Sequence, residues 1–218
     1  MASTFRLDMN NGDRVAAIRA FLQQLLTKQA VAAVLVAQHL PGKSMVMPTL
    51  VTAAERLDGA DPLAPCFPIN AARIASRLAR KPMGARWAAV LRSCEIRAFL
   101  ELVKLKQART EEVVLISFDC LGAFQNKDFQ RFAGADPVVA TAEFLKRSLA
   151  GEHFDLDLAP ACRACEFPVP PHSDIHIGLL GADENGPLTV EERSPAGREL
   201  IDAAGLTACE APTHWKSA

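Results

Sequence analysis

Several features are scarce or absent in this 218-residue sequence, and each absence excludes a class of protein. The formal net charge is only -1, so the chain lacks the positive surface that nucleic-acid-binding proteins need. The most apolar run, Ala30 to Ala37, is far shorter than the ~20 residues that a membrane-spanning helix needs. No basic leader with a cleavage site precedes it. We therefore expect a cytoplasmic protein without a membrane span.

The composition is otherwise that of a globular protein. Half of the residues are hydrophobic and 22% are charged, which suits a chain that buries a core. No stretch is sufficiently rich in Pro, Gly or Ser to separate two domains. We therefore predict one domain over residues 1–205, followed by a tail over 206–218.

Apolar periodicity alternates between helical and extended patterns along the chain. The predicted helices are 13–29, 70–81, 93–107, 136–149 and 196–204. The predicted strands are 31–37, 44–51, 87–91, 112–118 and 174–180, and residues 119–132 are predicted to be loop. A strand, a helix and a strand at this spacing form a βαβ unit. The sequence therefore predicts an α/β fold, with a mostly parallel or mixed sheet flanked by helices and ligands at the carboxyl ends of the strands.

The six cysteines include one close pair, Cys162 and Cys165. A C-x-x-C pair can be a redox dithiol, half of a zinc site or part of an iron–sulfur cluster. Here Pro160 precedes the pair and a proline-rich run follows it, which favours a rigid ligand loop over the helix start of a thioredoxin-like motif.

Two other cysteines follow predicted strands. Cys94 comes just after the strand at 87–91, and Cys120 just after the strand at 112–118. Because neighbouring parallel strands end at the same edge of a sheet, these two thiols can meet the C-x-x-C pair there. Four thiolates suit a 4Fe–4S cluster or a tetrahedral zinc ion, and the single close pair favours the cluster. Spacing alone leaves open that Cys94 and Cys120 are simply buried side chains.

An ordered set of short segments resembles a known family. They are DPLAP at 61–65, PIN at 68–70, LRSCEIRA at 91–98, ELVKLKQ at 101–107, ISFDCLG at 116–122 and CRACE at 162–166. Together they resemble the beta subunits of coenzyme F420 (deazaflavin) hydrogenases and dehydrogenases, which include some formate dehydrogenase beta subunits. The resemblance extends over residues 61–181.

The resemblance implies an iron–sulfur flavoprotein subunit of an anaerobic oxidoreductase complex. FAD would exchange a hydride with a soluble carrier, and a 4Fe–4S cluster on Cys94, Cys120, Cys162 and Cys165 would exchange single electrons with partner subunits. Those partners would belong to a hydrogenase, a formate dehydrogenase or a heterodisulfide-reductase-like complex, and activity would depend on them. No G-x-G-x-x-G fingerprint follows a strand, so the sequence does not support a standard Rossmann dinucleotide site. Deazaflavin, nicotinamide and ferredoxin are all candidates for the carrier.

Five polar residues are candidates for cofactor contacts: Asn70, Arg73, Arg92, Arg97 and Lys104. Asn70 begins a predicted helix and Arg73 follows one turn later, which suits a flavin pyrophosphate but equally a helix cap and a surface charge. Arg92 and Arg97 flank Cys94, where a cation would raise the potential of a cluster. Lys104 lies on roughly the same predicted helix face as Arg97, as a flavin or phosphate contact or an exposed charge.

Two alternative functions follow from the same residues. The chain is short for the resembled family, which suggests a flavin-free electron-relay or assembly subunit that retains the cluster. The other alternative is a zinc-stabilised binding module without a redox role. Measured iron, sulfide, zinc and flavin contents distinguish all three.

Overall fold

The computed structural model describes residues 3–42, 44–134, 136–183 and 186–211. The strands are β1 (Thr4–Leu7), β2 (Val34–Gln38), β3 (Met47–Val51), β4 (Trp87–Val90), β5 (Val113–Phe118), β6 (Ile175–Gly178), β7 (Leu188–Glu192) and β8 (Thr207–Cys209). The α-helices are α1 (Arg14–Thr27), α2 (Ala72–Leu78), α3 (Ser93–Lys104), α4 (Asn126–Ala133), α5 (Pro137–Leu149), α6 (Pro160–Arg163) and α7 (Pro195–Ala204).

The described strands form one mixed, eight-stranded sheet in the order β3-β2-β4-β5-β6-β7-β1-β8. The central strands β2, β4, β5 and β6 run parallel to one another. Strand β3 is antiparallel on one edge, and β7, β1 and β8 continue the sheet with antiparallel pairing. The predicted α/β fold with a mixed sheet is therefore confirmed. Because β2, β4, β5 and β6 all point the same way, their carboxyl ends lie along one edge.

Helices cover both faces of this sheet. Along β4, Trp87 and Ala89 join a core shared with α2 and α3, whereas Ala88 and Val90 belong to the core on the other face. This second core includes Phe21 of α1. Successive strand residues point to opposite faces, so a strand covered by helices on both sides is apolar throughout. The near-continuous apolar run of β4 follows from that position.

Three short strands and two helices, α4 and the single-turn α6, were not predicted. Helix α4 lies almost entirely within residues 119–132, which were predicted to be loop. It is only eight residues long, and its apolar positions are limited to Phe129, Phe132 and Ala133, which pack against the core. Strands β1, β7 and β8 are five residues long or shorter, and their apolar residues are few. Strand β8 pairs with β1, so residues 207–209 belong to the sheet instead of the predicted tail. The rest of the predicted tail, from residue 212, lies outside the described residues.

None of the helices in the described ranges combines the length and the apolar character needed to cross a membrane.

Candidate functional site

Two of the predicted ligands follow the carboxyl ends of adjacent parallel strands. The Leu91 N–H donates a hydrogen bond to the Ile116 carbonyl (2.9 Å), so the ends of β4 and β5 are tied together. The chain then turns into α3, whose first turn carries Cys94. Cys120 stands two residues beyond the end of β5. The structure thus places both cysteines at the same edge of the sheet, as parallel pairing predicts.

Backbone hydrogen bonds hold the C-x-x-C segment against the turn after β5. Before the pair, the Ala159 N–H donates to the Ala123 carbonyl (2.8 Å). After it, the Pro168 carbonyl accepts from the Cys120 N–H (2.9 Å). Cys162 lies in the single turn α6, which Pro160 opens, instead of in an irregular loop. Proline is favoured at a first helical position because its missing N–H has no partner there.

Gly122 lies where the two segments approach most closely. Its φ is +96°, and a Cβ atom built on it would lie 2.9 Å from Leu158 Cδ1 and 3.6 Å from Cys162 Cβ. A non-glycine residue would therefore meet both backbone strain and a steric clash. Glycine at this position lets the C-x-x-C segment lie against the turn that carries Cys120.

The four predicted ligand thiols also interact electrostatically. Burial is the largest influence on Cys94 and, with the charges of Glu95, Cys120 and Cys162, it raises the pKa of that thiol to about 11. Burial likewise raises the pKa of Cys120, and the charges of Cys162 and Cys165 add to the effect. Each of the four thiols is therefore within electrostatic range of at least one other. All six cysteines lie in the described ranges and all are free.

The spacing of these thiols bears on the kind of metal group they suit. Across the described residues, no set of three or more His, Cys, Asp or Glu side chains is grouped so that it could hold a metal ion. Four cysteine thiolates are the ligand set that a 4Fe–4S cluster takes. The four predicted ligands are of that kind, and each interacts with at least one other.

Arg92 and Glu95 are buried beside Cys94. The Arg92 guanidinium donates to the carbonyls of Cys66 (2.9 Å) and Ala64 (2.5 Å). The Glu95 carboxylate accepts from the backbone N–H of Arg92 (3.0 Å) and of Ala71 (2.7 Å). Burial raises the pKa of Glu95 against the influence of Arg92 and of these two donors. This arrangement joins α3 to the start of α2 and to the loop that precedes it.

The other predicted cofactor contacts are spread over the surface. Asn70 is half-buried just before α2, where its side-chain oxygen accepts from the Ala72 N–H (2.9 Å), and Arg73 is exposed. Lys104 is exposed at the end of α3 and pairs with Glu101 (2.7 Å). Arg97 stacks on the Phe167 ring, with its guanidinium carbon 4.4 Å from the ring centroid. Of these four residues, only Arg97 contacts the segment that follows the C-x-x-C pair.

A buried polar chain supports the Cys120 turn. His176 Nε2 bonds to Asp119 Oδ1 (3.0 Å), and Asp119 Oδ2 accepts from the Leu179 and Leu180 N–H groups (2.8 and 2.9 Å). Burial opposes ionisation of Asp119, but these donors outweigh it and lower the pKa of the carboxyl group. His176 alternates with Ile175 and Ile177 in β6, so the sequence indicates only that it faces a neighbouring layer.

The cavities at this edge of the sheet are too small for a flavin. One, beneath Phe67 and Arg92, has a volume of about 20 Å³. Another, beside Cys120 and Gly122, has about 10 Å³. Pockets for cofactor-sized ligands generally measure about 300–1,000 Å³. Larger open cavities, of about 930 and 620 Å³, lie near the amino ends of β5 and β6 and between α1 and α5.

Comparison with known proteins identifies the family. Residues 84–211 match the family model that describes the C terminus of the coenzyme F420 hydrogenase/dehydrogenase beta subunit. The F420-dependent formate dehydrogenase subunit beta of Methanocaldococcus jannaschii is 27% identical over 209 residues, which cover 86% of this chain and 54% of that protein. The chain thus spans about half the length of this curated relative.

A solved structure supports the fold. A chain of the F420-reducing NiFe hydrogenase complex from Methanosarcina barkeri superposes with a TM-score of 0.62 at 16% identity, covering 94% of this chain and 79% of that chain. At this identity the likeness concerns the fold alone. The family model, in contrast, covers more than half of the sequence. The chain therefore belongs to the coenzyme F420 hydrogenase/dehydrogenase beta subunit family.

Proposed function

We propose that this chain is an electron-transfer subunit of an oxidoreductase complex and that it carries a 4Fe–4S cluster on four cysteines. The proposed ligands are Cys94, Cys120, Cys162 and Cys165. The observation that carries the proposal is the assembly of these thiols from three segments at the carboxyl edge of β4 and β5. When bound, the cluster would supply one-electron transfer chemistry. The chain's own residues would supply the four thiolate ligands, two of them half-buried and two exposed.

The surface around the proposed cluster supports docking of a redox partner subunit. Cys94 and Cys165 are exposed, so a cluster on them would lie close to the surface. Phe167, Val169 and Leu180 are 42%, 40% and 41% exposed. Phe167 follows the C-x-x-C pair, and the Leu180 N–H bonds to Asp119 beside Cys120. Exposed apolar groups in one region commonly mark protein–protein interfaces. We assign this surface to a subunit of the same oxidoreductase complex that carries its own redox group.

The family resemblance implies two cofactors, and FAD is less well supported than the 4Fe–4S cluster. FAD would give the chain hydride exchange with a soluble carrier, and the family of the relatives favours it. The alternative, suggested by the short chain, is a flavin-free relay or assembly subunit that retains the cluster. Deazaflavin, nicotinamide and ferredoxin all stay candidates for the carrier.

The deciding experiment is the iron, acid-labile sulfide, zinc and flavin content of anaerobically purified protein, with its visible spectrum. About four irons and four sulfides per chain support the cluster. Flavin in addition supports the hydride-to-electron converter, and its absence supports the relay. Zinc in place of iron, after anaerobic reconstitution with iron and sulfide has also failed, would refute the proposal.

Single serine variants test the ligand assignment. We expect Cys94→Ser, Cys120→Ser, Cys162→Ser and Cys165→Ser each to lose most of the iron and sulfide. The matched control is Cys209→Ser, because Cys209 is the last residue of β8, the edge strand on the far side of the sheet from β4 and β5. The control should keep its iron. Full retention of iron and sulfide in both C-x-x-C variants would contradict the assignment.

A further inference from the structure

The Arg92 guanidinium lies at the centre of the candidate site, not at its surface. The residue is only 7% exposed. It lines the same small cavity as Asp119, Cys120 and Gly122, on the inner side of the turn that carries Cys120. A side chain in this position faces the protein side of the four thiols, whereas Cys94 and Cys165 face solvent.

Backbone carbonyls fix this guanidinium in place. Its two terminal nitrogens donate to the carbonyls of Ala64 and Cys66, at 2.5 and 2.9 Å. The loop that supplies these carbonyls is itself held, because the Phe124 N–H donates to the Pro65 carbonyl (2.9 Å). The guanidinium also lies over the Phe67 ring, 5.4 Å from its centroid. Arg92 therefore cannot turn away from the site without breaking several contacts.

No carboxylate of the described residues neutralises this charge through an ion pair. Glu95, an acidic group that acts on Arg92, directs its two oxygens at backbone N–H groups, at 3.0 and 2.7 Å. A buried charge without a paired counter-ion costs substantial free energy. The thiol groups of Cys120, Cys66 and Cys94 also lie within electrostatic range of Arg92, and each becomes negative only when it loses its proton. Burial alone would lower the pKa of Arg92, and the charges of Cys120, Glu95, Cys66 and Cys94 outweigh burial and raise it.

We propose that Arg92 is the fixed counter-charge of the cluster and that it raises the reduction potential of the cluster. The inference rests on the proposed function. Reduction adds one electron and moves no proton, so the cluster and its thiolates become more negative while Arg92 keeps its charge. A cation held in a poorly solvated position stabilises the more negative state. Arg97 is also close to Cys94 in sequence, but it lies on the surface over Phe167, where water and salt screen its charge.

The test is a reductive titration of anaerobically purified protein, with dithionite as the electron source and the reduced cluster followed by electron paramagnetic resonance. At the wild-type midpoint potential, we expect Arg92→Gln to have at least a tenfold lower ratio of reduced to oxidised cluster. For a one-electron couple this is a downward shift of about 59 mV or more. The matched control Arg97→Gln should change the ratio less than twofold. Raising the ionic strength should leave the Arg92 effect unchanged.

The outcomes separate this inference from the proposed function. Wild-type protein that holds no iron or sulfide defeats the proposed function. Arg92→Gln protein with full iron and a ratio within twofold of the wild type defeats only the role of Arg92. If Arg92→Gln fails to hold iron, Arg92→Lys decides, because it keeps the charge and should stay within threefold of the wild-type ratio. A tenfold fall in Arg92→Lys would show that the guanidinium hydrogen bonds, not the charge, set the potential, and would overturn the proposal.

Discussion

Replacing Gly122 by alanine tests whether the turn after β5 positions the C-x-x-C segment. Gly122 has a φ of +96°, and an added Cβ would lie 2.9 Å from Leu158 Cδ1 and 3.6 Å from Cys162 Cβ. The first distance is a clash and the second an ordinary contact. We therefore expect Gly122→Ala to strain the backbone and to push Leu158, together with the neighbouring Cys162, away from the Cys120 turn.

The two effects have separate magnitudes. Backbone strain at a positive φ costs a non-glycine residue about 1–3 kcal/mol. Overpacking against a neighbouring side chain costs about 1–3 kcal/mol in addition. The free energy of unfolding should thus fall by about 2–6 kcal/mol, against a total of about 5–15 kcal/mol for a typical domain. The variant should still fold in most of this range, so its cluster content can be measured.

The matched control for this variant is Gly84→Ala. Gly84 has a φ of +76° and nothing within 4 Å of an added Cβ, so it isolates the strain from the clash. Urea unfolding of the cluster-free proteins should show a larger loss for Gly122→Ala, by about 1–3 kcal/mol. Gly122→Ala should also hold less than half of the wild-type iron, whereas Gly84→Ala should hold all of it. Equal losses of stability in the two variants, with full iron in both, would refute the reasoning.

A double-mutant cycle identifies the clashing partner. Leu158→Ala removes the Cδ1 atom that an alanine at 122 would meet. If that contact is responsible, the two substitutions should cost less together than the sum of their separate costs, by about 0.5–3 kcal/mol. The double variant should also recover iron relative to Gly122→Ala. Strict additivity would assign the damage to the backbone alone.

Two further predictions concern the surroundings of the cluster. In cluster-free protein the Cys94 pKa of about 11, against the ordinary 9.0, leaves roughly 100-fold less thiolate at neutral pH. Its alkylation by iodoacetamide, followed by mass spectrometry, should therefore keep rising beyond pH 9, and a plateau near pH 9 would contradict the stated burial. Asp119→Ala should lower the free energy of unfolding by about 2–5 kcal/mol, because it removes the carboxylate bonded to His176, to the buried Leu179 N–H and to the part-buried Leu180 N–H. The isosteric Asp119→Asn should cost less in the same urea titration, and equal costs would point to lost packing instead of lost hydrogen bonds.

The sequence predicts the central part of the fold because that part obeys simple periodicities. The runs that became β4 and β5 are apolar except for Ser117, as expected for buried parallel strands. Asp13 and Asp136 cap α1 and α5, each accepting a backbone N–H of the first turn. The missed helix α4 is short, and its apolar residues are limited to Phe129, Phe132 and Ala133. Three apolar positions in eight residues are a weak helical signal.

The candidate site was likewise predictable from the sequence only in part. Cys94 and Cys120 could be placed at one edge because parallel strands align their ends. The approach of the C-x-x-C pair depends on Gly122 and on hydrogen bonds between segments about forty residues apart, which composition does not reveal. From the sequence alone, Arg92 and Arg97 are equivalent cations on either side of Cys94. In the structure Arg92 is buried, because it precedes α3 and donates to two carbonyls of the loop at 61–68, whereas Arg97 is exposed on α3.

The buried groups around the thiols indicate what kind of electron-transfer site this arrangement suits. The Asp119 carboxylate is bonded to three groups, the His176 ring and the Leu179 and Leu180 N–H groups, and so fixes the turn that carries Cys120. The Arg92 guanidinium donates to the carbonyls of Ala64 and Cys66 and so fixes the loop that contains them. Both are fixed in position before any electron arrives, so a change of charge on the cluster would cause little movement around it. A preorganised polar environment of this kind lowers the free energy spent on reorganisation during a change of charge. Cys94 and Cys165 are exposed, so a cluster on them would be accessible to the proposed partner subunit. An electron relay needs both conditions, a rigid interior and close access for its partner, and this edge of the sheet supplies them from the same few segments.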